Sequence, residues 1–230
     1  MLLCAYENER ETYRQIFEQM YYLRARQFSE RRGWRVEVKD GLEIDRFDRL
    51  NPLYVCVLSD ERQLLASLRL LPTTGPHMLS DVFPEVMGDA GIVRHPLILE
   101  SSRFCVDTQA AKSFGSEGLN HVTRGLLHGL FSTTQAAGIR NIISVYDIFV
   151  ERILRRAGCR IERLGPVYKY DDLKTVGGLF EVSDDVVKAV AGDFRKDIAQ
   201  RRSSQSDLVK FTPVSSRKTA SALINSTNAV

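Results

Sequence analysis

The sequence predicts an α/β fold in which helices cover both faces of one mixed sheet. Strand-like apolar segments alternate with helical segments along most of the chain, which is the element order of an α/β domain. Two strands, 54–58 and 64–71, are separated only by the turn 59–62, so they are expected to pair as a hairpin. The 230 residues suffice for one core; we expect a single domain over 1–200 and a basic, polar, poorly ordered tail over 201–230.

Four segments are predicted to be helices. In the first, 9–29, Ile16, Phe17 and Met20 recur at three- and four-residue spacing, and Arg24 lies on the same stripe. A guanidinium on the core face of a helix usually pairs with a carboxylate. A second amphipathic segment stops at a glycine, and two shorter ones follow. These three helical segments are 117–137, 148–157 and 183–200.

The other apolar segments are predicted to be strands, because they are short and bounded by turn residues. They are residues 1–6, 97–107, 139–146, 159–170 with a break at Gly165 and Pro166, and 178–182. Residues 73–96 are expected to be mostly loop, since the pairs Gly75-Pro76 and Phe83-Pro84 interrupt regular structure there.

Composition and motifs exclude several classes of protein. The net charge of +3 is too small to indicate nucleic-acid binding, and no glycine-rich nucleotide-binding motif occurs. The four histidines lack metal-ligand spacing, so we expect no metal. No apolar run reaches the length of a membrane span, and the start is too short for a signal peptide. Four widely separated cysteines are typical of a reducing compartment, which favours a cytoplasmic protein.

The predicted strand 97–107 carries charged and hydroxyl side chains that are unusual in an apolar strand. Strand alternation would place Glu100 and Ser102 on one face and Ser101 and Arg103 on the other. Buried charges need partners of opposite sign. The candidates are three guanidinium groups and three carboxylates, namely Arg24, Arg69, Arg103, Asp45, Asp48 and Glu100. Such a set is either a structural lattice or a site for a charged ligand, and we favour the site.

Asp45 and Asp48 are three residues apart around Phe47, which aims both carboxylates at one point in a turn or short helix. With Phe28 and Trp34 as an aromatic wall, they form a candidate pocket for an ammonium or sulfonium group. A helix cap or a solvated loop would give the same spacing, and the tryptophan would equally serve as a core residue. These alternatives stay open.

At these positions the sequence resembles the acyl-homoserine-lactone synthases of the LuxI type, which make quorum-sensing signals. Eight residues match in order and spacing: Arg24, Phe28, Trp34, Asp45, Asp48, Arg69, Glu100 and Arg103. Three strings match as well: Leu68-Arg-Leu-Leu-Pro-Thr-Thr-Gly-Pro76, Glu100-Ser-Ser-Arg-Phe-Cys-Val-Asp107 and Glu151-Arg-Ile-Leu-Arg-Arg-Ala-Gly158. The likeness covers roughly residues 1–190 and is greatest to rhizobial, long-chain-type members, through the strings Pro72-Thr-Thr-Gly-Pro76 and Phe180-Glu-Val-Ser-Asp184.

The resemblance implies an acetyltransferase-like (GNAT-like) fold and a reaction without a cofactor. The methionyl amine of S-adenosylmethionine, a substrate, attacks an acyl thioester carried by acyl carrier protein. The carboxylate of the new amide then displaces methylthioadenosine and closes the lactone. The residues implied to bind S-adenosylmethionine or support its site are Arg24, Phe28, Trp34, Asp45, Asp48, Arg69, Arg103 and Phe104.

The resemblance also implies where catalysis and acyl binding occur. Glu100 is expected to take the amine proton directly or through water, with Arg103 beside it, and a backbone N–H near Arg103 or Phe104 to hold the thioester carbonyl. The hydroxyl of Ser144 would favour an oxygen at the third acyl carbon, although a serine bonded to backbone is an equal alternative. The implied pocket for a medium-to-long acyl chain consists of Leu126, Leu130, Ile142, Ser144 and Tyr146.

The resemblance is compatible with two acyl donors, acyl carrier protein and acyl-coenzyme A. Acyl carrier protein is acidic, so Arg152, Arg155 and Arg156 are candidates for its docking surface, although a solvated helix face would look the same. Some synthases of this type accept acyl-coenzyme A. Two rival functions are an ordinary N-acyltransferase that uses acyl-coenzyme A and a ligand sensor without turnover. Residues 113–118 lack the basic residue and spacing of a coenzyme A phosphate loop.

Overall fold

The computed structural model describes residues 1–30, 36–112, 118–170 and 172–192. The strands in these ranges are β1 (Leu2–Tyr6), β2 (Val38–Lys39), β3 (Leu42–Glu43), β4 (Leu53–Leu58), β5 (Leu64–Pro72), β6 (Ile98–Val106), β7 (Asn141–Asp147), β8 (Ile161–Arg163), β9 (Tyr168–Tyr170) and β10 (Leu173–Glu181). The helices are α1 (Arg14–Ala25), α2 (Met78–Asp81), α3 (Thr108–Lys112), α4 (Gly118–Ala136), α5 (Ile148–Arg156) and α6 (Asp184–Ala191). Three short 3-10 helices (Glu7–Glu9, Arg46–Leu50 and Pro84–Ala90) and a π-helical turn (Arg26–Glu30) complete these elements.

Eight strands form one mixed sheet, as predicted. Their order is β1-β4-β5-β6-β7-β10-β8, with β9 also paired to β10. The β6–β7 pair is parallel, and the other pairs are antiparallel. The parallel register runs from Ile98 opposite Asn141 to Glu100 opposite Ile143, so the pairing of β6 and β7 covers only the first part of each strand. The strands β2 and β3 form a separate hairpin.

Apolar cores on both faces of the sheet confirm the predicted layers of helices. The strand β4, which lies between β1 and β5, is buried along its whole length, so its alternate side chains enter different cores. Tyr54 and Cys56 pack with Phe17 and Met20 of α1. Val55 and Val57 of the same strand belong to the core that contains the buried residues of α4 and α6.

Several predicted boundaries are wrong for identifiable local reasons. The α-helix of the first segment begins at Arg14 rather than near residue 9, because a 3-10 helix over Glu7–Glu9 and a turn over 10–13 precede it. The expected loop 73–96 contains α2 and a 3-10 helix. The strand β10 begins at Leu173, five residues earlier than expected. Glycine has a low strand propensity, so Gly177 and Gly178 did not indicate the interior of a strand. A Cβ at Gly178 would lie 2.5 Å from the hydroxyl oxygen of Tyr146, so close packing requires a glycine there.

Three parts of the sequence interpretation lie outside the described residues: the whole of the predicted turn 31–34, residues 113–117 of the segment 113–118, and the chain from residue 193 onward, with the predicted tail. Within the described ranges, no helix is long and apolar enough to cross a membrane. The four cysteines are free thiols, three of them buried and Cys4 partly buried.

Candidate active site

Six charged side chains form one ion-pair network: Arg24, Arg69 and Arg103 with Glu43, Asp45 and Asp48. Arg24 lies on the core face of α1 and is fully buried. Its Nε donates to Glu43 at 2.5 Å, and its two Nη atoms donate to the two oxygens of Asp48 at 2.9 Å each. This forked pairing fixes the orientation of both groups. The predicted carboxylate partner of Arg24 is therefore confirmed.

Arg69 connects the network to the sheet. From the buried strand β5, its Nη1 donates to Asp45 at 2.6 Å and to Asp48 at 2.7 Å, and its Nε donates to the Ser102 hydroxyl at 3.1 Å. The Tyr54 hydroxyl on β4 also donates to Asp48, at 2.6 Å. Asp48 is thus held by side chains from α1, β4 and β5, and it joins the helix layer to the sheet.

Arg103 reaches the network because β6 contains a bulge. Opposite β5, the register shifts between the Ser67 and Arg69 positions, and Arg103 has a φ of 55°. A bulge turns a side chain away from strict alternation. The Arg103 guanidinium therefore points to the same network as Ser102, with Nη2 2.7 Å from Glu43 and 2.8 Å from Asp45. The expectation that Ser102 and Arg103 occupy opposite faces is wrong.

Glu43, rather than Glu100, supplies the third carboxylate of the network, and the sequence interpretation missed it. Glu43 lies on β3, after a tight turn at Asp40 and Gly41, whose φ angles are 52° and 79°. An Asp-Gly pair between alternating residues is a strong hairpin signal. That signal would have placed Glu43 two residues before Asp45 on the same face of an extended segment.

Asp45 and Asp48 cap a short helix and also face the guanidinium groups. Asp45 accepts the backbone N–H of Phe47 at 2.9 Å, and Asp48 accepts that of Asp45 at 2.7 Å. Burial acts to raise the pKa of Asp48, but the charges of Arg24 and Arg69 outweigh it and hold that pKa well below the usual range. The helix-cap alternative and the buried-charge hypothesis therefore both describe this pair.

Glu100 has a different environment from the one expected. It is fully buried on β6, and its two carboxylate oxygens accept the backbone N–H groups of Met78 and Leu79 at 2.9 and 2.6 Å. Burial raises its pKa to about 7, against the lowering effect of these two N–H groups and of Arg69 and Arg103. Glu100 therefore holds the first turn of α2 against the sheet. Its raised pKa lies close to neutral pH.

An apolar cavity adjoins the network at Arg103. Its empty volume is about 940 Å³, which includes some space open to solvent. Phe28, Arg103 and Phe104 contribute to its lining, and the Arg103 guanidinium lies 5.0 Å from the centre of the Phe28 ring. An apolar cavity with a few charged groups at one place is the usual form of a small-molecule site. The remaining lining residues include Met78, Phe83, Ser101, Ser102, Leu127, Leu130, Phe131, Ile142, Ser144 and Tyr146.

The cavity contains all but one of the residues predicted to bind the acyl chain. Leu126 is fully buried in the core of α4 and does not line it; Leu127 does. Consecutive helical residues point about 100° apart, so the face of α4 at the cavity contains Leu127 and the predicted Leu130 but not Leu126. The Ser144 hydroxyl faces the cavity and also donates to the backbone oxygen of Ser101 at 2.7 Å. The backbone-bonded alternative for this serine is therefore present as well.

The three arginines predicted for docking lie on α5 but differ in their partners. Arg155 Nε donates to Glu151 at 2.9 Å, and Arg163 donates to the same carboxylate at 2.8 Å. Arg152 and Arg156 are exposed and form no ion pair with other described residues. Trp34 lies outside the described residues, so its predicted place beside Phe28 stays a prediction.

Asp48→Asn should destabilise the fold by about 3–5 kcal/mol, because it leaves buried guanidinium groups without their carboxylate. Urea unfolding at pH 7 measures this, with the exposed Asp89→Asn as control. The lowered pKa of Asp48 stabilises the wild type above its usual value of 3.8, and this contribution decreases as pH falls below that value. The variant should lack that part of the pH dependence; equal unfolding free energies for variant and wild type would contradict the network's role.

Residues 8–190 match the family model described as autoinducer synthase. The acyl-homoserine-lactone synthase of Agrobacterium fabrum is 35% identical over 164 residues, which cover 71% of this chain and 78% of that protein. This relative agrees with the rhizobial likeness expected from the sequence.

Solved structures show the same architecture. The acyl-homoserine-lactone synthase LasI superimposes with a TM-score of 0.74 at 31% identity, covering 84% of this chain and 94% of LasI. BjaI, a coenzyme A-dependent synthase solved with S-adenosylmethionine and isopentyl-coenzyme A, shares the fold with a TM-score of 0.76 at 24% identity, covering 85% and 89% of the two chains. The acetyltransferase-like fold is confirmed. The chain belongs to the autoinducer synthase family of acyl-homoserine-lactone synthases, which are acyltransferases that make quorum-sensing signals.

Proposed function

We propose that this enzyme joins S-adenosylmethionine to a medium-to-long acyl chain from acyl carrier protein and then forms the lactone with release of methylthioadenosine. The observation that carries the proposal is the contact between the ion-pair network and the apolar cavity at Arg103. A zwitterionic sulfonium donor needs charged groups, and a fatty thioester needs an apolar enclosure. The amine can attack the thioester only where the two environments meet.

Exposure separates the groups that would contact S-adenosylmethionine from those that hold them in place. The side chains of Arg24, Arg69 and Asp48 are at most 2% exposed and are occupied with one another. Arg103 is 10% exposed and lines the cavity, and Asp45, which forms an ion pair with Arg103, is 19% exposed. We assign the substrate's ammonium to Asp45 and its carboxylate to Arg103, with the Phe28 ring near the sulfonium.

Glu100 is the proposed acceptor of the amine proton. A pKa of about 7 suits a group that exchanges a proton near neutral pH. Its carboxylate is absent from the lining of the cavity and accepts two backbone N–H groups, so the proton would reach it through water. Among the backbone groups near the bulge, the N–H of Phe104 is the proposed donor to the thioester carbonyl.

The acyl donor distinguishes this proposal from its main alternative, an N-acyltransferase that uses acyl-coenzyme A. BjaI, a protein of the same fold, is a coenzyme A-dependent synthase. The arginines of α5 favour an acidic carrier protein as the donor here. We further propose that the reaction takes place in the cytoplasm, as the reduced cysteines indicate.

Purified enzyme with S-adenosylmethionine and a set of acyl carrier protein thioesters should release methylthioadenosine and an acyl lactone in equal amounts. Chromatography of the nucleoside and mass spectrometry of the lactone measure both products and give the acyl length. Acyl transfer without methylthioadenosine release would support the ordinary N-acyltransferase. Neither product with any donor would overturn the proposed function.

Glu100→Gln should lower the acylation rate at least about 100-fold while changing S-adenosylmethionine affinity little, because the variant cannot accept the proton. In the wild type, the rate should rise as pH increases through about 7, where the carboxyl group loses its proton; the variant should lose this rise. Single-turnover kinetics and calorimetry measure the two effects, with the exposed Glu18→Gln as control. Equal turnover by the variant and the wild type would dismiss the proton role.

Ser144→Ala should reduce the share of products that carry an oxygen at the third acyl carbon. The hydroxyl faces the cavity, and its oxygen lone pairs stay available to a substrate hydroxyl while its proton is donated to Ser101. Mass spectrometry of lactones from mixed thioesters measures the share, with Ser132→Ala in α4 as control, because that hydroxyl bonds within its own helix. Identical product profiles would remove Ser144 from the specificity argument.

A further inference from the structure

A line of hydroxyl groups leads away from the ion-pair network, between α1 and the sheet. The Tyr54 hydroxyl donates to Asp48 at 2.6 Å, and the Tyr21 hydroxyl donates to Glu7 at 2.7 Å. The Tyr54 hydroxyl is also within hydrogen-bonding reach of Tyr21 and of Glu7. We call Glu7, Tyr21 and Tyr54 the tyrosine relay. It joins a carboxylate at the protein surface to a buried carboxylate of the network.

Three distant parts of the sequence bring the tyrosine relay together. In the pairing of β1 with β4, Ala5 lies opposite Tyr54, and Glu7 follows two residues later. Tyr21 precedes Arg24 by three residues on α1, so the two side chains share the buried face of that helix. The Arg24 guanidinium lies 5.2 Å from the centre of the Tyr21 ring. Strand register and helix periodicity therefore both direct these side chains to the same place.

Packing alone does not require the hydroxyl groups of the tyrosine relay. Tyr21 and Tyr54 are at most 1% exposed, and both rings contact Phe17 edge to face, with ring centres 6.3 and 5.3 Å away. A phenylalanine would fill the same space. A buried hydroxyl costs free energy unless it is bonded, and these two hydroxyls each donate to a carboxylate. Their bonds are therefore the distinctive feature of the pair.

The inner end of the tyrosine relay acts on the aspartate that holds the substrate-facing part of the network. Asp48 Oδ1 accepts Tyr54 together with one nitrogen each of Arg24 and Arg69. Asp48 Oδ2 accepts the backbone N–H of Asp45 at 2.7 Å. Without the Tyr54 donor, Oδ1 is left to the two guanidinium groups alone. We expect Asp48 to shift toward them and to displace the Asp45 backbone.

The tyrosine relay stands apart from the apolar cavity. Its three residues are absent from the cavity lining, whereas Arg103, the partner of Asp45, is part of it. The relay therefore contacts neither substrate in the proposed arrangement. Its effect on the reaction passes through Asp48 and Asp45.

We propose that the tyrosine relay positions Asp48, and through it Asp45, for the ammonium group of S-adenosylmethionine. Tyr54, Tyr21 and Glu7 are then positioning residues for one of the two substrates. This inference rests on the proposed function, because it presumes that Asp45 receives the ammonium group. It adds residues that make no contact with that substrate.

Tyr54→Phe should raise the Kd for S-adenosylmethionine about tenfold, because it removes a hydrogen bond to a charged group and keeps the ring. The KM for the acyl thioester, and kcat with both substrates saturating, should stay within about twofold of wild type. Calorimetry and steady-state kinetics measure these constants. Tyr13→Phe is the matched control, because Tyr13 packs against the same core and its side chain does not cap α1.

The outer links of the tyrosine relay should have smaller effects on the same constant. Tyr21→Phe should raise the Kd for S-adenosylmethionine about threefold, since its hydroxyl is one link further from Asp48. Glu7→Met should do the same, whereas Glu7→Gln should stay close to wild type, because its amide oxygen still accepts the Tyr21 hydroxyl. Both Glu7 variants lose the ion pair with Arg10, so only the acceptor differs between them.

Four outcomes would overturn the inference while leaving the proposed function intact. One is an unchanged Kd in Tyr54→Phe, and another is an equal rise in the thioester KM, which indicates general loosening of the fold. The others are a rise of the same size in Tyr13→Phe and equal constants for Glu7→Met and Glu7→Gln. Urea unfolding of each variant checks that the folded protein is compared. Failure of the proposed function would look different, because the wild type would then release no methylthioadenosine with any donor.

Discussion

Burial of the Arg24 and Arg69 guanidinium groups, with the nearly buried Arg103 beside them, is the constraint on which the rest of the structure depends. A buried charge is tolerated only with a partner, and removal of one member leaves the others uncompensated. Here the three carboxylates come from a single short segment, since Glu43, Asp45 and Asp48 lie within six residues. That segment must therefore fold against α1, β5 and β6 together, and the network links local chain geometry to the tertiary fold.

The bulge at Arg103 converts this network into part of a site. Without it, strand alternation would direct the guanidinium away from Glu43 and Asp45. With it, Arg103 closes the network on one side and borders the apolar cavity on the other. The parallel register of β6 and β7 stops at Glu100 and Ile143. Beyond that point the Ser144 hydroxyl, rather than a backbone group, bonds to Ser101, and the side chains of both strands line the cavity.

The helix α5 has one face at the apolar cavity and another face in solvent. Its inner residues Val150 and Leu154 complete the apolar cavity, while Phe149 and Ile153 face solvent. Glu151 forms an ion pair with Arg155. The positive charges of α5 that have no ion pair with another described residue are therefore those of Arg152 and Arg156. A sequence cluster of three arginines therefore contains both structural and available charges, and only their partners distinguish them.

The sequence by itself determined the layer order, the hairpin of β4 and β5 and the unusual polarity of β6, because these follow from local periodicity and from the cost of unpaired buried charge. It also identified Arg24, Asp45 and Asp48 as members of one set. Only the tertiary structure decided that Glu43 completes that set and that Glu100 binds the backbone of α2 instead. The physical reason is that alternation predicts a face only within a regular strand. The bulge at Arg103 redirects its side chain, and the residues that hold this side chain, Glu43 and Asp45, are distant in the chain.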